Sequence, residues 1–452
     1  MTTPTVVVAA AQSGAGKTTA TMALIAGLRD RGLRVQPFKV GPDYLDPSLL
    51  GWVAGRPCRN LDSWMVPGPH LLELFHRACR GAHIAVVEGV MGLFDGRSGA
   101  GDDASTADIA RLLQAPILLV VDAARASRTV GAVAFGLSRA DPRLRVAGAI
   151  LNRVANDRHL ATCAEGLKAV GVQSLGHLTR AAELTLPERY LGLISASETE
   201  PQPGLRAALD VAASTLDLDF VMQAAGSATP PPPPEAGLFP ERPIATRARI
   251  GVALDRAFHF YYRDALDLLE SWGAELVPFS PLEDSRVPER ASGIYLGGGY
   301  PELFAEGLAA NTSMLASLRG ARAEGTVVYA ECGGAMYAAS GIEDAEGRHH
   351  SMAGLWPVQV SLKARKLSVG YRVVRACPPG FLAGQELRAH EFHYSQLSEG
   401  NGHHQPAWLV LDQGGRPEGY SAPGVTASYI HVHFGSRPGL AASFVEACTR
   451  RS

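Results

Sequence analysis

Two short stretches carry residue types that do chemistry together. In Gln12-Ser13-Gly14-Ala15-Gly16-Lys17-Thr18-Thr19 the glycines let successive backbone N–H groups turn toward phosphate oxygens. Lys17 has the reach to meet the terminal phosphates, the Thr18 hydroxyl can ligate Mg²⁺, and Ser13, Gly14, Gly16 and Thr19 complete the cradle. Against the pattern G-x-x-x-x-G-K-[ST] the first glycine is Ala11, so the loop is a variant. The second stretch, Glu331-Cys332-Gly333-Gly334, places a thiol between an apolar run and an apolar helical start. That is a strand-to-helix elbow, where a nucleophile stands clear of a sheet and a helix N-terminus favours its thiolate.

Each centre needs accessories. A cysteine nucleophile needs a base, and the chain offers His390 and His393 in HEFHYS and His431 and His433 in SYIHVHF. His431 and His433 alternate along one strand and so share a face. His433 is preferred because it stands nearest the strand's end. The His-x-His spacing has no third ligand at a distance familiar for zinc. Backbone N–H groups of the Gly297-Gly298-Gly299 run, with Gly298 and Gly299 as the binding residues, can cradle an oxyanion. Around the phosphate loop, PFKVGPDYLDP brings Lys39, Asp43 and Asp46 to a strand end, and its prolines suggest a stiff loop. Glu88, closing HIAVVEGV, holds the position of a second metal carboxylate, with Asp95 in the loop beyond it. Asn152 ends another strand, either to read an adenine edge or to form a turn.

The elements that must position these groups follow from periodicity. Thr5 to Ala10 reads as a buried strand, Lys17 to Arg31 as a helix and Leu33 to Val40 as a second strand, a β-α-β start that implies a parallel sheet. Apolar strands recur at 82–90, 116–122 and 146–153, with a helix over 105–113 capped by Ser105 or Thr106. A five-proline run, Pro230 to Pro234, can neither continue a helix nor enter a sheet. The expected domains are therefore 1–225, a linker over 226–247, and 248–452, where an α/β pattern restarts and ends in mostly β sequence.

The 452 residues suggest about three domains, with two large ones equally allowed, and either way leave ample chain for real cores. Hydrophobic residues at 46% and charged residues at 19% are globular values, and a net charge of −2 gives no electrostatic case for nucleic acid or an anionic membrane. The six cysteines form no C-x-x-C pair, so neither a disulfide framework nor a zinc site is indicated. No leader pattern or membrane-length apolar run is present, and a cytoplasmic location is expected.

The motifs PFKVGPDYLDP, NLDSWM, VVEGVMGLFDG, LPERYLGL, YLGGGYPELFAE, YAECGGAMY, HEFHYS and SYIHVHF together resemble the cobyrinic acid a,c-diamide synthase family of cobalamin biosynthesis, over nearly the whole chain. The resemblance implies an N-terminal P-loop NTPase domain like dethiobiotin synthetase and a C-terminal class I type glutamine amidotransferase α/β domain, in which Cys and His act without the usual following Glu. It implies that ATP with Mg²⁺ phosphorylates the a and c acetate carboxylates of a corrinoid and that ammonia from L-glutamine displaces the phosphate. Carried over by position, it puts Lys17 on the phosphates, Thr18, Asp43 and Glu88 near Mg²⁺, Asp46 and Asp95 near the activated carboxylate, and Asn152 near adenine. Cys332 becomes the nucleophile and His433 its base, while Lys39, Tyr44 and Leu45 meet the substrate. The related cobyric acid synthases run FKxQNM where this chain has Phe38 to Asp43, which argues against later amidations. Within the family the ring can be hydrogenobyrinic acid, cobyrinic acid or a nickel sirohydrochlorin; the Ala-, Arg- and Gly-rich composition fits an aerobic high-GC bacterium and favours the first. A ParA-like positioning ATPase is the rival from another class, but its signature lysine is replaced by Gln12 and it has no use for Cys332. A glutaminase whose N-terminal half only regulates it is a second rival. Oligomeric state, a homodimer included, stays open.

Overall fold

Apolar runs without polar interruption are buried on both faces only in a parallel sheet covered by helices, and the first half of the computed structural model is built this way. The structure describes residues 3–97, 99, 101–184, 188–189, 192–193, 204–229, 231–233, 237–363, 367–397 and 405–450. Leu186, Pro187, Tyr190 and Leu191 of LPERYLGL, and Pro230 and Pro234 of the proline run, lie outside the described residues. The chain divides into two compact units, Met1–Trp64 with Leu71–Glu235, and Met65–His70 with Ala236–Ser452.

In the first unit β1 (Thr5–Ala10), β2 (Val35–Val40), β3 (Arg59–Leu61), β4 (Ile84–Glu88), β5 (Ile117–Asp122), β6 (Val146–Val154) and β7 (Ser174–Thr179) make one sheet. Among the described residues it has seven strands in the order β3-β2-β4-β1-β5-β6-β7, and its pairings are parallel. Parallel strands gather their carboxyl ends at one edge, where such sheets bind ligands. The ends of β1, β2, β4 and β6 bring the phosphate loop, Lys39, Glu88 and Asn152 to that edge.

Helix α1 (Lys17–Asp30) leaves the loop at Gly16, whose φ of 89° is a left-handed conformation that glycine adopts without strain. It packs Met22, Leu24 and Ile25, all fully buried, into a core shared with Leu49, Leu50 and Val53 of α2 (Leu45–Ala54). Helix α2 corrects the sequence reading of GPDYLDP as a loop throughout. Asp43 Oδ1 accepts from the Leu45 N–H at 2.8 Å and starts the helix, and Pro47 sits in the first turn, where a missing N–H breaks no intrahelical bond. Further on, Ser105 Oγ accepts from the Asp108 N–H at 3.1 Å and caps α3 (Thr106–Leu113).

The second unit starts with β8 (Ala248–Ala253), β9 (Ala274–Phe279), β10 (Gly293–Leu296) and β11 (Val327–Glu331), and later adds β12 (Glu386–His393), β13 (Tyr420–Ala422), β14 (Val425–Ser428) and β15 (Ile430–His431). Among the described residues its main sheet is β9-β8-β10-β11-β14-β13, parallel except for the last pair. β12 and β15 belong to a second, antiparallel sheet, in which His390 pairs with His431. The elbow follows β11 and enters the short helix α4 (Gly333–Ala338). Among the described residues, no helix is long and apolar enough to cross a membrane.

Candidate active sites

At the carboxyl edge of the first sheet a cavity of about 520 Å³ is walled by Ser13, Gly14, Gly16, Lys17, Thr18, Thr19, Lys39, Asp43, Asp46, Glu88 and Asn152. These come from separate strand ends, and the parallel sheet brings them together. Lys17 Nζ donates to the Met91 carbonyl at 2.5 Å and the Gln12 carbonyl at 3.4 Å, so its ammonium already hangs over the loop. Burial, and then Lys39, lower its pKa, and Glu88, Asp46 and Asp95 oppose that.

Lys39 is the electrostatic hub. Its Nζ donates to Asp46 Oδ2 at 2.6 Å, Glu88 Oε1 at 2.8 Å and the Gly89 carbonyl at 3.1 Å, with Asp43 Oδ2 at 3.8 Å. Burial pulls against the Lys39 charge, but the surrounding carboxylates more than offset it and raise its pKa well above the usual value. Burial and neighbouring Asp46 push Asp43 up to about 7. Burial likewise lifts Glu88 to about 7, against the pull of Lys39. Asp46 moves the other way: burial is outweighed by its contact with Lys39.

Glu88 Oε1 also accepts from the Thr18 hydroxyl at 2.9 Å, while its Oε2 is buried with no hydrogen-bond partner. An orphaned carboxylate oxygen beside a threonine hydroxyl and Asp43 is a hard-oxygen donor set of the kind Mg²⁺ takes. Among the described residues no group of three His, Cys, Asp or Glu side chains holds a metal unaided, and Mg²⁺ ordinarily keeps water and phosphate oxygens among its ligands.

Four of the expected site residues stand in contacts or positions of their own. Asn152 Nδ2 donates to the Ala15 carbonyl at 2.9 Å, which makes it a brace under the phosphate loop before any contact with a base. Asp95 is not among the cavity walls; its Oδ2 accepts from the Gly92 N–H at 2.9 Å and shapes its own loop. Leu45 is buried in the first turn of α2. Tyr44 also stands outside the walls. The sequence reading missed Met91, Arg153, Thr179 and Arg180, which do line the cavity. Met91 and Arg153 have φ of 45° and 58°, backbone strain that a sequence does not announce.

Cys332 has φ 48° and ψ −108°, the sharp turn of an elbow. Its N–H donates to the Ser428 carbonyl at 2.7 Å, and its Sγ lies 3.6 Å from the Phe392 carbonyl oxygen. Burial, reinforced by Glu302, raises the thiol pKa well above the ordinary value, so the resting residue is protonated. The glycine run is there for close approach: a Cβ on Gly333 would lie 2.9 Å from Gly299 N, and one on Gly298 would lie 2.9 Å from His431 Cε1. Gly297 has no free donor, because its N–H goes to Tyr261 Oη at 2.8 Å.

His433 and His431 differ in what their rings meet. His433 Nδ1 accepts from the Gly435 N–H at 3.0 Å, so the neutral ring carries its hydrogen on Nε2, which is buried without a partner. His431 instead packs on Gly298 of the run that borders the elbow, with the His390 ring centroid 6.2 Å away. Burial holds His431 and His433 near 3 and His390 near 4, so all three are neutral around pH 7.

The sequence model of the CobQ/CobB/MinD/ParA nucleotide binding domain matches residues 6–193, and that of the CobB/CobQ-like glutamine amidotransferase domain matches residues 249–439. Among curated relatives, the cobyrinate a,c-diamide synthase of Dehalococcoides mccartyi strain CBDB1 is 41% identical over 98% of both chains. That of Syntrophotalea carbinolica is 43% identical over 100% of both. The hydrogenobyrinate a,c-diamide synthase of Streptomyces coelicolor is 40% identical over 98% of this chain and 97% of its own.

Proposed function

The chain belongs to the cobyrinate and hydrogenobyrinate a,c-diamide synthase family, and we propose from that membership that it converts the a and c acetate carboxylates of a cobyrinate-type macrocycle to amides, using ATP and glutamine. The observation that carries this reading is the pairing, on one chain, of a phosphate-loop cavity holding two lysines among three carboxylates with a strained cysteine elbow. One centre activates a carboxylate and the other releases ammonia.

In the first centre Lys17 and the loop N–H groups hold the phosphates of ATP. Thr18, Glu88 and Asp43 would hold Mg²⁺, which when bound would supply charge neutralisation at the phosphates. Lys39, swung from Asp46, meets the negative charge that builds on the transferring phosphoryl group and the incoming carboxylate. In the second centre Cys332 Sγ attacks the glutamine amide and neutral His431 takes the thiol proton. The tetrahedral oxyanion lies against the backbone of Gly298 and Gly299. His431 then returns the proton to the leaving ammonia, and water releases glutamate. Ammonia displaces phosphate from the acyl phosphate, leaving amide, ADP and phosphate. A positioning ATPase has no use for this second centre.

Relatives carrying the cobyrinate and the hydrogenobyrinate names match at nearly equal identity, 41% and 40%. The test is therefore run on both rings. Purified protein is incubated with ATP, Mg²⁺ and glutamine and with hydrogenobyrinic or cobyrinic acid, and the products are weighed by mass spectrometry. Each step exchanges OH for NH₂, so two steps are expected, with the metal-free ring favoured. No mass change on either ring would overturn the reading.

A further inference from the structure

Glu331 immediately precedes the nucleophile, and its carboxylate is 1% exposed. Three donors from separate places in the chain converge on it: Tyr329 Oη at 2.5 Å, Tyr295 Oη at 2.9 Å and the Val432 N–H at 3.0 Å. Val432 stands between His431 and His433. A second buried carboxylate, Glu418, accepts from Ser428 Oγ at 2.5 Å and the Tyr429 N–H at 2.9 Å at the other end of the same segment. The histidine-bearing stretch 428–433 is thus tied at both ends to buried acids.

Taking a carboxylate out of water costs several kcal/mol, and an apolar side chain of similar volume would fill the space without that penalty. Packing alone therefore does not explain Glu331. Its hydrogen bonds do something an apolar residue cannot: they join the elbow strand β11 to the backbone that carries the histidines. In this chain no acid follows them, since the sequence runs His433-Phe434-Gly435. We propose that Glu331 is a positioning residue of the glutaminase centre, fixing His431 against the Cys332 elbow through the Val432 N–H. It touches neither substrate nor thiol proton; it sets where the base stands.

This inference rests on the reading of Cys332 as a glutaminase nucleophile, and the experiment separates the two. Glutamine hydrolysis and ammonia-dependent amidation are measured on the full chain for wild type, Glu331→Gln, which keeps hydrogen-bonding atoms in place, and Glu331→Ala. Loss of alignment by about 1 Å lowers turnover roughly 100-fold. Glu331→Ala is expected to lose kcat for glutamine on that scale with KM little changed, Glu331→Gln to restore most of it, and both to keep ammonia-dependent amidation. An unchanged kcat in Glu331→Ala overturns the inference, as does parallel loss of both activities, which would mark a purely structural residue. If Glu331→Ala does not fold, Tyr295→Phe decides, because it removes one donor that aims the carboxylate: lowered kcat at constant KM supports positioning, and unchanged kcat refutes it. A wild type that hydrolyses no glutamine overturns the glutaminase reading and this inference with it.

Discussion

Substituting Gly16 by alanine tests how the phosphate loop is held. Gly16 lies at φ 89°, and a Cβ there would fall 2.0 Å from Asn152 Nδ2, the atom that donates to the Ala15 carbonyl at 2.9 Å. Two penalties add. A left-handed alanine costs about 1–2 kcal/mol. Expelling the Asn152 amide breaks its hydrogen bond and strands the Ala15 carbonyl, at about 1–3 kcal/mol. Gly16→Ala should then weaken ATP binding by about 2–5 kcal/mol, roughly 30-fold to a few thousandfold. Asn152→Ala alone removes only the brace and should lose about 1–3 kcal/mol. Since both changes destroy the same hydrogen bond, the double variant should bind no worse than Gly16→Ala, a coupling of about 1–3 kcal/mol. Calorimetric titration with ATP on all four proteins measures the cycle, with melting curves as the control for folding. Additivity within about 0.5 kcal/mol would refute the claim that Asn152 braces this loop.

Three further outcomes follow from the same geometry. Cys332→Ser should abolish glutamine-dependent amidation and leave the ammonia-dependent reaction, and failure of ammonia to rescue it would mean that the thiol also serves the synthetase centre. Lys39→Met strips the buried partner from Asp46 and Glu88, which should destabilise the chain by about 3–5 kcal/mol in urea unfolding and abolish amidation from either nitrogen source; wild-type stability would show that the cluster is not held by charge. Burial keeps His433 near 3, whereas an unfolded histidine titrates near ~6.5. The unfolded chain therefore binds the extra proton between those values, and stability present above ~6.5 is lost as pH falls, by roughly 3 kcal/mol at pH 4 for this residue. Glu331 and Glu418, raised by burial to about 7 and about 6, act in the opposite sense as pH rises through that range. His433→Gln should accordingly flatten the acid limb of a melting-temperature profile, and an unaltered limb would count against a neutral buried ring.

What the sequence made legible was local. A strand, a small-residue loop and a lysine-threonine helix start lie within fifteen residues, so β1, the loop and α1 could be read directly, and Cys332 with its two glycines was equally self-contained. What it concealed was decided at long range or by hydrogen-bond direction. Alternation put His431 and His433 on one face, yet the Gly435 N–H that occupies His433 and the Gly298 backbone under His431 come from the folded chain. Helix α2 was hidden because Pro47 reads as a breaker unless Asp43 is recognised as the start signal. The donors on Glu331 sit 36, 2 and 101 residues away, so no window of sequence displays them together.

Cys332 is 7% exposed, and its thiol is held protonated. Oxidants and alkylating agents attack the thiolate in preference to the thiol, and they need access. If Cys332 is the glutaminase nucleophile, the empty centre is expected to react with peroxide and with small disulfides more slowly than free cysteine does. The same burial means that glutamine itself must complete the conditions for its own cleavage, bringing an acyl group to the sulfur as the proton leaves. On that reading one feature, the burial of Cys332, is expected to restrain both wasteful glutamine hydrolysis and oxidative damage.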